Sequence, residues 1–520
     1  MKSNCLRYWR QLLTGAVAAS LIALICSWDT RPPEVAGAAR VNRLPRIRPD
    51  YSGLVIPPNI APLNFSILEG GRGFYAVLRG NKGNTITIRS RTSAIHIPSN
   101  AWRSLVQLNQ GGELYFDLYT EAENKSWRRF DTTTNIIVAE PIDSYLIYRK
   151  IHPSHNGWSS MGIYQRNLQT FDEVPILENR HFKNDCCHCH SLGNNNPSRF
   201  TVALRSRNYG NSLLMVHDGV VTKASGTVGF TAWHPSGRLL ACSFNQPILL
   251  LHSQKNDMRD IVDLGSWIGY FSTDSNVVKR IPGLTNDHRL FTFPTWSPNG
   301  SYLYFCSGPR LFTDFAEMKP DDYQKVKYDL MRVPYDLERD QWGPAEMILP
   351  VQKTGLSAAQ PRISPDGRWL SFNLCASGCW PTYHPESDLY LIDLASAPEA
   401  DRFVLRKMEL NSEQCESWHS WSSNSRWIVF SSKREAPLFN RPYVAYVAPD
   451  GHCSKPFVVP QEDPAFYDSY LKTYTIPLLA TDPVRVPERE LVQAIISTNN
   501  MPLQMPAGVS VARPGPRTSQ

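Results

Sequence analysis

Short segments of alternating hydrophobic and polar residues run through most of this chain and predict β-strands. The clearest segments lie at residues 74–78, 85–88, 113–118, 135–139, 213–216, 388–394 and 443–447. Residues 314–329 instead favour a short helix or an ordered insertion. The proline-rich end of the chain, residues 476–520, is predicted to be a flexible tail. The pattern is that of an all-β protein.

A tight turn followed by an apolar strand recurs along the chain, and its copies lie at residues 233–237, 296–300, 363–367 and 421–425. Proline fixes one φ angle of this turn, and glycine takes the positive φ that closes it. In the last copy Ser423 replaces proline and Ser425 replaces glycine, which predicts a different turn geometry there. One unit cannot cover its own apolar faces, so the copies must stack, and the repeat predicts a β-propeller.

Composition agrees with this fold and excludes few functions. The chain has 520 residues, 40 prolines and 30 glycines, which suits a turn-rich protein of more than one domain. Its net charge of +7 is spread along the sequence without a basic stripe, so a nucleic-acid partner is not expected.

The N-terminus has the pattern of an export signal. Lys2, Arg7 and Arg10 precede an apolar run at residues 12–28, and small residues at 36–38 resemble a cleavage site. A cleaved signal peptide and a membrane anchor over residues 1–28 both remain open, because the run is slightly short for a bilayer span. Either reading predicts a periplasmic or otherwise extracytoplasmic protein.

Residues 186–190 carry the candidate chemistry. Cys186, Cys189 and His190 form C-x-x-C-H, the attachment pattern of a c-type haem. Two thiols at this spacing can each bond one vinyl group of the same porphyrin, and the following histidine supplies an axial nitrogen to the iron. We therefore predict Cys186 and Cys189 as covalent haem ligands and His190 as the proximal ligand. The sixth ligand is left open among an empty position, Met161, Met215, His181 and His188.

Three other readings of this cysteine cluster compete with haem. Cys186, Cys187, Cys189 and the two histidines could bind structural zinc, although no second C-x-x-C supplies the usual partner loop. One of the thiols could pair in a disulfide, or the stretch could be an inert loop. Elsewhere, two disulfides are possible from sequence proximity in an oxidising compartment: Cys375 with Cys379, and Cys415 with Cys453.

Enzyme motifs are missing from the sequence. No G-x-S-x-G nucleophile elbow, P-loop or dinucleotide fingerprint occurs. Hydrolase activity is therefore not expected, and an electron-transfer or binding protein is favoured. An enzyme that uses the haem iron with an open sixth position is a further alternative.

The repeated turns, together with residues 49–53, 56–65, 161–166, 189–191, 388–390 and 419–427, resemble the TolB-like propeller proteins. The closest resemblance is to an exported bacterial group with an embedded C-x-x-C-H, loosely labelled cytochrome c biosynthesis proteins. It spans residues 49–475 and implies a TolB-like propeller of about six blades outside the cytoplasm.

The expected division of the chain has six parts. These are a signal or anchor at 1–28, a linker at 29–50, a β-rich region at 51–175, a haem segment at 176–200, the propeller repeats at 201–475 and the tail at 476–520. The expected function is electron transfer, or redox support of an unknown protein partner. A propeller without haem that acts as a scaffold for periplasmic protein interactions is the alternative.

Overall fold

A computed structural model describes residues 33–153, 160–251, 259–319, 321–396 and 403–507. The predicted signal peptide or membrane anchor at residues 1–28 lies outside these ranges. Within them, no helix is both long enough and apolar enough to cross a membrane. The described chain is mostly β-sheet, as the alternating pattern predicts.

The first ten strands and one helix form an N-terminal module. The strands are β1 (Ala39–Val41), β2 (Ile47–Arg48), β3 (Val55–Ile56), β4 (Phe65–Ile67), β5 (Gly73–Gly80), β6 (Ile86–Ser90), β7 (Ala94–Ile95), β8 (Gly112–Glu121), β9 (Trp127–Phe130) and β10 (Thr133–Ile137). Seven of them build one sheet, and β2, β4 and β7 build a second. Helix α1 (Ser99–Leu108) buries Trp102, Leu105 and Val106, which recur at helical spacing on one face.

The remaining strands follow in six groups of three to five, and β35 and β36 come after these groups. They are β11 (Tyr145–Ile151), β12 (Gly162–Asn167), β13 (Glu173–Glu178); β14 (Cys186–Gly193), β15 (Asn196–Arg205), β16 (Ser212–His217), β17 (Val220–Ser225); β18 (Thr231–Trp233), β19 (Leu239–Leu251), β20 (Arg259–Ser272), β21 (Lys279–Arg280); β22 (Arg289–Trp296), β23 (Tyr302–Pro309), β24 (Asp329–Asp336), β25 (Gln341–Trp342), β26 (Glu346–Leu349); β27 (Ser357–Ile363), β28 (Trp369–Cys375), β29 (Asp388–Asp393), β30 (Leu405–Lys407); β31 (Glu416–Trp421), β32 (Trp427–Ser432), β33 (Arg441–Tyr446), β34 (Phe457–Val458); β35 (Thr473–Ala480) and β36 (Met501–Pro502).

Three short helices and four 3₁₀ turns connect these strands. The helices are α2 (Val351–Thr354), α3 (Phe466–Ser469) and α4 (Glu488–Ile496). The 3₁₀ turns are Asn179–Phe182, Phe315–Glu317, Asp322–Lys325 and Pro381–Tyr383. Two of the 3₁₀ turns fall within residues 314–329, where the sequence predicts a short helix or an ordered insertion.

The strands from β11 onward form, within the described ranges, six sheets of four or five strands, which are antiparallel except where β36 pairs with β17. Each sheet begins with an inner strand, and the inner strands are β35, β14, β18, β22, β27 and β31. These six strands contact one another in that cyclic order, and β31 returns to β35. A closed ring of radially arranged sheets is the architecture of a β-propeller.

The ring is closed by a strand from the far end of the chain. β35 pairs with β11, so one sheet combines residues from the first and the last parts of the propeller. The three-stranded unit β11 to β13 has no inner strand of its own, and β35 supplies it. This closure leaves no open sheet edge between the first and last units, which removes a site of unwanted strand pairing.

The repeated turns behave alike despite the substitutions in the last copy. Gly237, Gly300 and Gly367 have φ between +73° and +77°, and Ser425 has φ +61°. In each copy this residue donates its backbone N–H to the carbonyl three residues earlier, at 2.8–2.9 Å. The predicted difference in turn geometry is therefore wrong. Ser425 keeps the left-handed conformation because its side chain is fixed by the backbone N–H of Asp366 in the neighbouring turn (2.9 Å).

The structure divides the chain differently from the sequence. The predicted linker contains β1 and β2, which pair with β9 and β4. The predicted region 51–175 includes most of β11 to β13, which belong to the propeller. The segment 176–200 is continuous with the second sheet rather than separate from the propeller. The Pro- and Arg-rich composition suggested the linker, and strand alternation and the cysteine motif suggested the other two boundaries, but pairing with distant strands overrides these local signals.

The predicted flexible tail is also ordered over much of its length. Residues 476–480 lie in the fully buried β35, and α4 buries Leu491 and Ile495. β36 joins the edge of the second sheet beside β17. Residues 508–520 lie outside the described ranges.

The N-terminal module packs against the last sheet of the ring. One continuous core joins Phe65, Phe116 and Leu118 of the module to Val444 and Phe457 of that sheet. The Tyr51 hydroxyl donates a hydrogen bond to the Val458 carbonyl (3.3 Å). The module thus packs on the outer strands β33 and β34 of this sheet, away from the inner strands around the axis.

Candidate functional site

The C-x-x-C-H segment is the inner strand of the second sheet. Cys186 and Cys187 pair with Arg205 and Leu204 of β15, and pairing resumes at His190 opposite Val202. Four residues on β14 therefore face three on β15, which is a β-bulge. The haem motif lies on a bulged strand at the propeller axis.

The same bulge occurs in other inner strands that have no such motif. Register shifts of the same size separate Thr292 from Thr295 in β22, Ala359 from Arg362 in β27 and Ser417 from Ser420 in β31. The residue after the first of each pair has a left-handed φ of +48° to +54°, namely Phe293, Gln360 and Trp418. Ile476 in β35 has φ +54° at its own bulge. Non-glycine residues in this conformation are strained, so the surrounding packing must hold them.

Past the bulge, the inner strands place one residue each around an axial cavity of about 320 Å³. These residues, which we call the axial ring, are His190, Thr231, Thr295, Arg362, Ser420 and Leu478. Further along the strands, Trp233, Trp296 and Trp421 line the wall of the cavity. The side chains that line it include one guanidinium and one imidazole, but no carboxylate and no lysine.

On the other side of the bulges, aromatic rings fill the axis. Phe230 of the third sheet lies 4.1 Å from Phe293 of the fourth and 5.9 Å from Trp418 of the sixth, measured between ring centroids. Trp380 packs 5.7 Å from Phe230. We call Phe230, Phe293, Trp380 and Trp418 the aromatic plug. Because its members meet across the ring, the cavity does not continue through the propeller as an open channel.

The thiols of the motif are buried. Cys186, Cys187 and Cys189 are 4%, 0% and 6% exposed. Burial raises the pKa of Cys189 to about 12, although Arg149, Arg205 and Arg362 oppose this shift. Burial also raises the pKa of Cys187. The thiols of Cys187 and Cys189 are therefore protonated at neutral pH, and they are not activated nucleophiles.

Arginines without carboxylate partners surround the motif. Arg149 donates to the His188 carbonyl (2.9 Å) and to the Thr475 hydroxyl (3.0 Å). Arg205 has a buried Nη1 that meets no hydrogen-bond partner. Arg362 donates to the carbonyl of Pro361 (3.0 Å). Across the described ranges, none of the three forms an ion pair with an acidic side chain, so the region carries unbalanced positive charge.

Among the predicted site residues, His190 has the surroundings that best suit binding of a ligand. It is 4% exposed, it lines the axial cavity, and neither ring nitrogen has a partner at regular hydrogen-bonding geometry, although the nearby Ile476 backbone acts to raise its pKa. Burial and the nearby Arg149 lower its pKa to about 3, so the imidazole is neutral and can offer a lone pair. Buried ring nitrogens normally find a partner at such geometry, and a pair without one suits a ligand-binding role.

The four candidates for a sixth ligand lie in different places. Met161 is buried in the same hydrophobic core as the three cysteines, whereas Met215 on β16 belongs to a separate core. His181 is at the surface and contacts Glu488 (2.9 Å). His188 Nδ1 lies 2.8 Å from the Cys189 sulfur, and burial lowers its pKa well below 6.5. Only Met161 and His188 share the surroundings of the motif.

The zinc alternative lacks the required geometry. Among the described residues, the one group of three potential ligands within 4.8 Å of one another is Glu178, His181 and Glu488, which lies away from the motif. Tetrahedral zinc requires four ligands about 2.0–2.3 Å from one ion. The cysteines and histidines of residues 186–190 do not converge in this way.

The two disulfides suggested by sequence proximity are not formed. Cys375 donates to the carbonyl of Ser377 (3.2 Å), and Cys415 donates to the carbonyl of Pro381 (3.2 Å). Cys379 lies 3.9 Å from a carboxylate oxygen of Asp263, and Cys453 contacts the carbonyl of Gly451. Each thiol has a separate polar neighbour, because the strands place the members of each pair in different surroundings.

The residues at the axis match a c-type haem in two respects. The neutral imidazole of His190 is a suitable axial ligand, and unpaired arginines suit the carboxylates of a porphyrin. The sulfurs of Cys186 and Cys189 lie behind the cavity wall rather than along it. Thioether attachment therefore requires β14 to turn these thiols toward the cavity.

Sequence reasoning missed Arg362 and the plug residue Trp418. A signal for the axial ring was nevertheless present. Thr295, Arg362 and Ser420 each directly precede the residue that begins a repeated turn. Alignment of the turn repeats would have assigned them one structural position, and Arg362 is the charged member of that set.

No protein-family model matches this chain, and no curated protein sequence matches it. Solved structures with a similar arrangement include TolB from Acinetobacter baumannii, with 13% identity, a TM-score of 0.40, and coverage of 74% of this chain and 85% of TolB. Prolyl oligopeptidase B from Galerina marginata has 11% identity, a TM-score of 0.33, and coverage of 66% and 41%. Hydrazine synthase from Kuenenia stuttgartiensis has 14% identity, a TM-score of 0.29, and coverage of 50% and 63%. The fold assignment rests on the strand pairing of this chain itself.

Proposed function

We propose that this chain is an exported, six-bladed, TolB-like propeller that carries one c-type haem and serves electron transfer or redox support of a protein partner. Each of the six sheets is taken as one blade. The observation that carries the proposal is His190, a buried neutral imidazole without a regular hydrogen-bond partner that directly follows C-x-x-C and faces the axial cavity. The resemblance to the exported group labelled cytochrome c biosynthesis proteins supports the same assignment.

Each residue of the motif has a distinct part in this proposal. Cys186 and Cys189 would hold the porphyrin, and His190 would offer a ring nitrogen to the iron. Arg149, Arg205 and Arg362 would supply positive charge suited to the haem carboxylates. The bound haem would supply a one-electron redox couple. The plug keeps water from reaching the cavity through the propeller, because its rings meet across the axis.

Covalent attachment is tested by intact-mass measurement and visible absorbance after expression with a haem-maturation system. The wild-type chain should gain the mass of one haem and show a Soret band that survives acid–acetone extraction. Cys186→Ala and Cys189→Ala should each lose full covalent attachment. Cys187→Ala is the matched control, because this thiol is equally buried on the same strand but lies outside the motif pair, and it should retain haem.

A wild-type chain without added haem mass, or a Cys186→Ala variant with full haem staining, would contradict the proposal. Export is tested separately by fractionating cells that express the full chain. Recovery of the folded chain only in the cytoplasm would contradict the extracytoplasmic assignment.

A propeller without haem that acts as an interaction scaffold is the second candidate. Its support is a register shift of the same size in β22, β27 and β31, which have no haem motif, as in β14. In that case residues 186–190 serve only as part of the inner strand of the second sheet. A correctly matured chain that stays colourless favours this candidate.

A further inference from the structure

We propose that the axial cavity binds a small carboxylate, held through its two oxygens by the guanidinium of Arg362. The inference does not depend on haem, because the cavity is lined by residues of all six inner strands and not only by the motif strand β14. The ligand chemistry is a carboxylate group. Its source is either a free small carboxylic acid or a carboxylate side chain of a bound porphyrin.

Charge is the first argument. Arg362 is the sole side chain with a permanent charge among those that line the cavity. Of its five N–H groups, the described residues account for one, which donates to the Pro361 carbonyl (3.0 Å). Arg362 is only partly buried, so its remaining donors are open to the cavity, where an anion can accept them and offset the positive charge. Burial lowers the pKa of Arg362 to about 10, which still leaves it charged at neutral pH.

The second argument is the set of donors around it. His190 lines the cavity, is 4% exposed, and has no partner at regular hydrogen-bonding geometry on either ring nitrogen. Trp233 and Trp296 belong to the same wall, but their indole N–H groups, like the His190 ring nitrogens, are fully buried. The accessible donors are therefore the guanidinium of Arg362 and the hydroxyl and amide side chains of the wall. A wall with these donors and without an acidic side chain is complementary to an anion rather than to a cation.

The carboxylate of Asp143 contacts two residues of the wall and does not neutralise Arg362. Asp143 lies behind Asn195 and Ser423, and its oxygens accept from the Asn195 amide (3.0 Å) and from the Ser423 backbone N–H (2.9 Å) and hydroxyl (2.5 Å). Burial raises the pKa of Asp143. Its hydrogen-bonding capacity is thus directed at the rim of the cavity, and Arg362 keeps its free donors.

The volume of the cavity limits the size of a free ligand. A volume of about 320 Å³ is at the lower end of the range for small-molecule sites, which runs from about 300 to 1,000 Å³. The plug closes the cavity at its inner side. A short mono- or dicarboxylate fits this space, and its apolar part would contact the tryptophans of the wall.

The test uses the full chain with both motif thiols replaced, Cys186→Ala with Cys189→Ala, and separately the haem-matured wild-type chain. Sodium acetate and sodium succinate are titrated by calorimetry against sodium chloride at equal ionic strength. The chain without the two motif thiols should bind one carboxylate per chain and should melt at a higher temperature with it, because the ligand binds the folded state only. Chloride should produce neither effect.

Arg362→Gln should weaken carboxylate binding by about tenfold or more, because charge-assisted hydrogen bonds are lost. Arg362→Lys should be intermediate, since the charge remains but the planar fork is lost. Arg339→Gln is the matched control, because that side chain is 74% exposed and pairs with Asp336 outside the cavity. If Arg362→Gln fails to fold, Arg362→Lys carries the comparison.

The two sources give different results in the matured chain. If haem is attached and free acetate still binds, the ligand is a free carboxylate. If attached haem abolishes acetate binding and Arg362→Gln weakens haem retention, the haem carboxylate occupies the site. A matured chain that has no haem but binds acetate through Arg362 supports this inference while the proposed function fails. Equal responses of wild type, Arg362→Gln and chloride would overturn the inference.

Discussion

The two sides of the inner-strand bulges share one backbone design but differ in chemistry. On one side, the axial ring lines a cavity with donors and one positive charge. On the other side, four aromatic side chains meet across the axis, and just outside them His384 lies between Asp260 (3.4 Å) and Glu386 (3.2 Å). The aromatic side is filled by packed rings, whereas the cavity side is open and is lined by one charged guanidinium.

This comparison shows that a repeated backbone position does not fix a role. Phe293, Gln360 and Trp418 occupy one bulge position in three sheets, yet only the aromatic members close the axis. The carbonyl end of the Gln360 amide accepts the backbone N–H of Trp418 (2.7 Å), which holds a neighbouring bulge in place. Side-chain choice at matching positions therefore decides which side of the ring is packed and which side is open.

The largest expected effect comes from removing the plug. Trp418→Ala should lower the free energy of unfolding by about 3–5 kcal/mol, because it leaves a cavity where rings from three sheets meet. Urea denaturation measures this loss. Phe315→Ala is the control, since Phe315 is 53% exposed, and its effect should stay within about 0.5 kcal/mol. A loss below about 1 kcal/mol for Trp418→Ala would mean that the plug does not close the ring.

A smaller effect should appear in acid, through His419. Burial and the nearby Arg362 lower its pKa to about 3 in the folded chain, whereas an unfolded histidine titrates near 6.5. The unfolded state therefore takes up the proton first. The contribution of the neutral His419 to the free energy of unfolding is fully present above pH 6.5. It is lost as the pH falls from 6.5 toward 3, and the loss is about 2 kcal/mol at pH 5.

His419→Leu should abolish this part of the pH dependence, because the replacement does not titrate. The measurement is the difference in unfolding free energy between pH 7.5 and pH 5, for wild type and for the variant. An identical difference in both chains would mean that His419 gains a proton without penalty, and hence that its surroundings contain water or an acceptor.

The smallest effect, with the opposite sign, is expected at His384. Burial alone would lower the pKa of His384, but hydrogen bonds to Asp260 and Glu386 outweigh it and raise the pKa to about 9. Its contribution is therefore fully present below pH 6.5 and is lost as the pH rises through 9. The side chain of Glu386 is 49% exposed, so solvent screening reduces the contribution to roughly 1–2 kcal/mol.

His384→Gln should remove this contribution at pH 6 and leave a flatter stability profile between pH 7 and pH 10. Chemical denaturation at several pH values measures the profile. A wild-type chain that gains stability as the pH rises through this range would contradict the assigned charge on His384.

The sequence predicted local features better than long-range ones. The strands at residues 74–78, 113–118 and 388–394 and the repeated turns depend on neighbouring residues, and the structure contains all of them. The prediction for Ser425 was wrong because its conformation depends on a contact with Asp366, which is 59 residues away. The ordered end of the chain was missed for the same reason, since β35 is recognisable as an inner strand only through its pairing with β11.

For the candidate site, the sequence identified Cys186, Cys189 and His190 and the chemistry that their spacing permits. It did not identify Arg149, Arg205 or Arg362, because these residues come from three other strands and share no motif with the cysteines. The haem assignment stays a prediction, and mass measurement of the matured chain tests it directly.

The amino-acid sequence by itself determined the turns, the strand alternation and the spacing of the cysteines, because each depends on residues within a few positions of one another. The tertiary structure alone decided that the ring closes through β35 and that His190 and Arg362 line the same cavity. These residues are 172 positions apart and approach each other only when all six sheets have assembled around one axis.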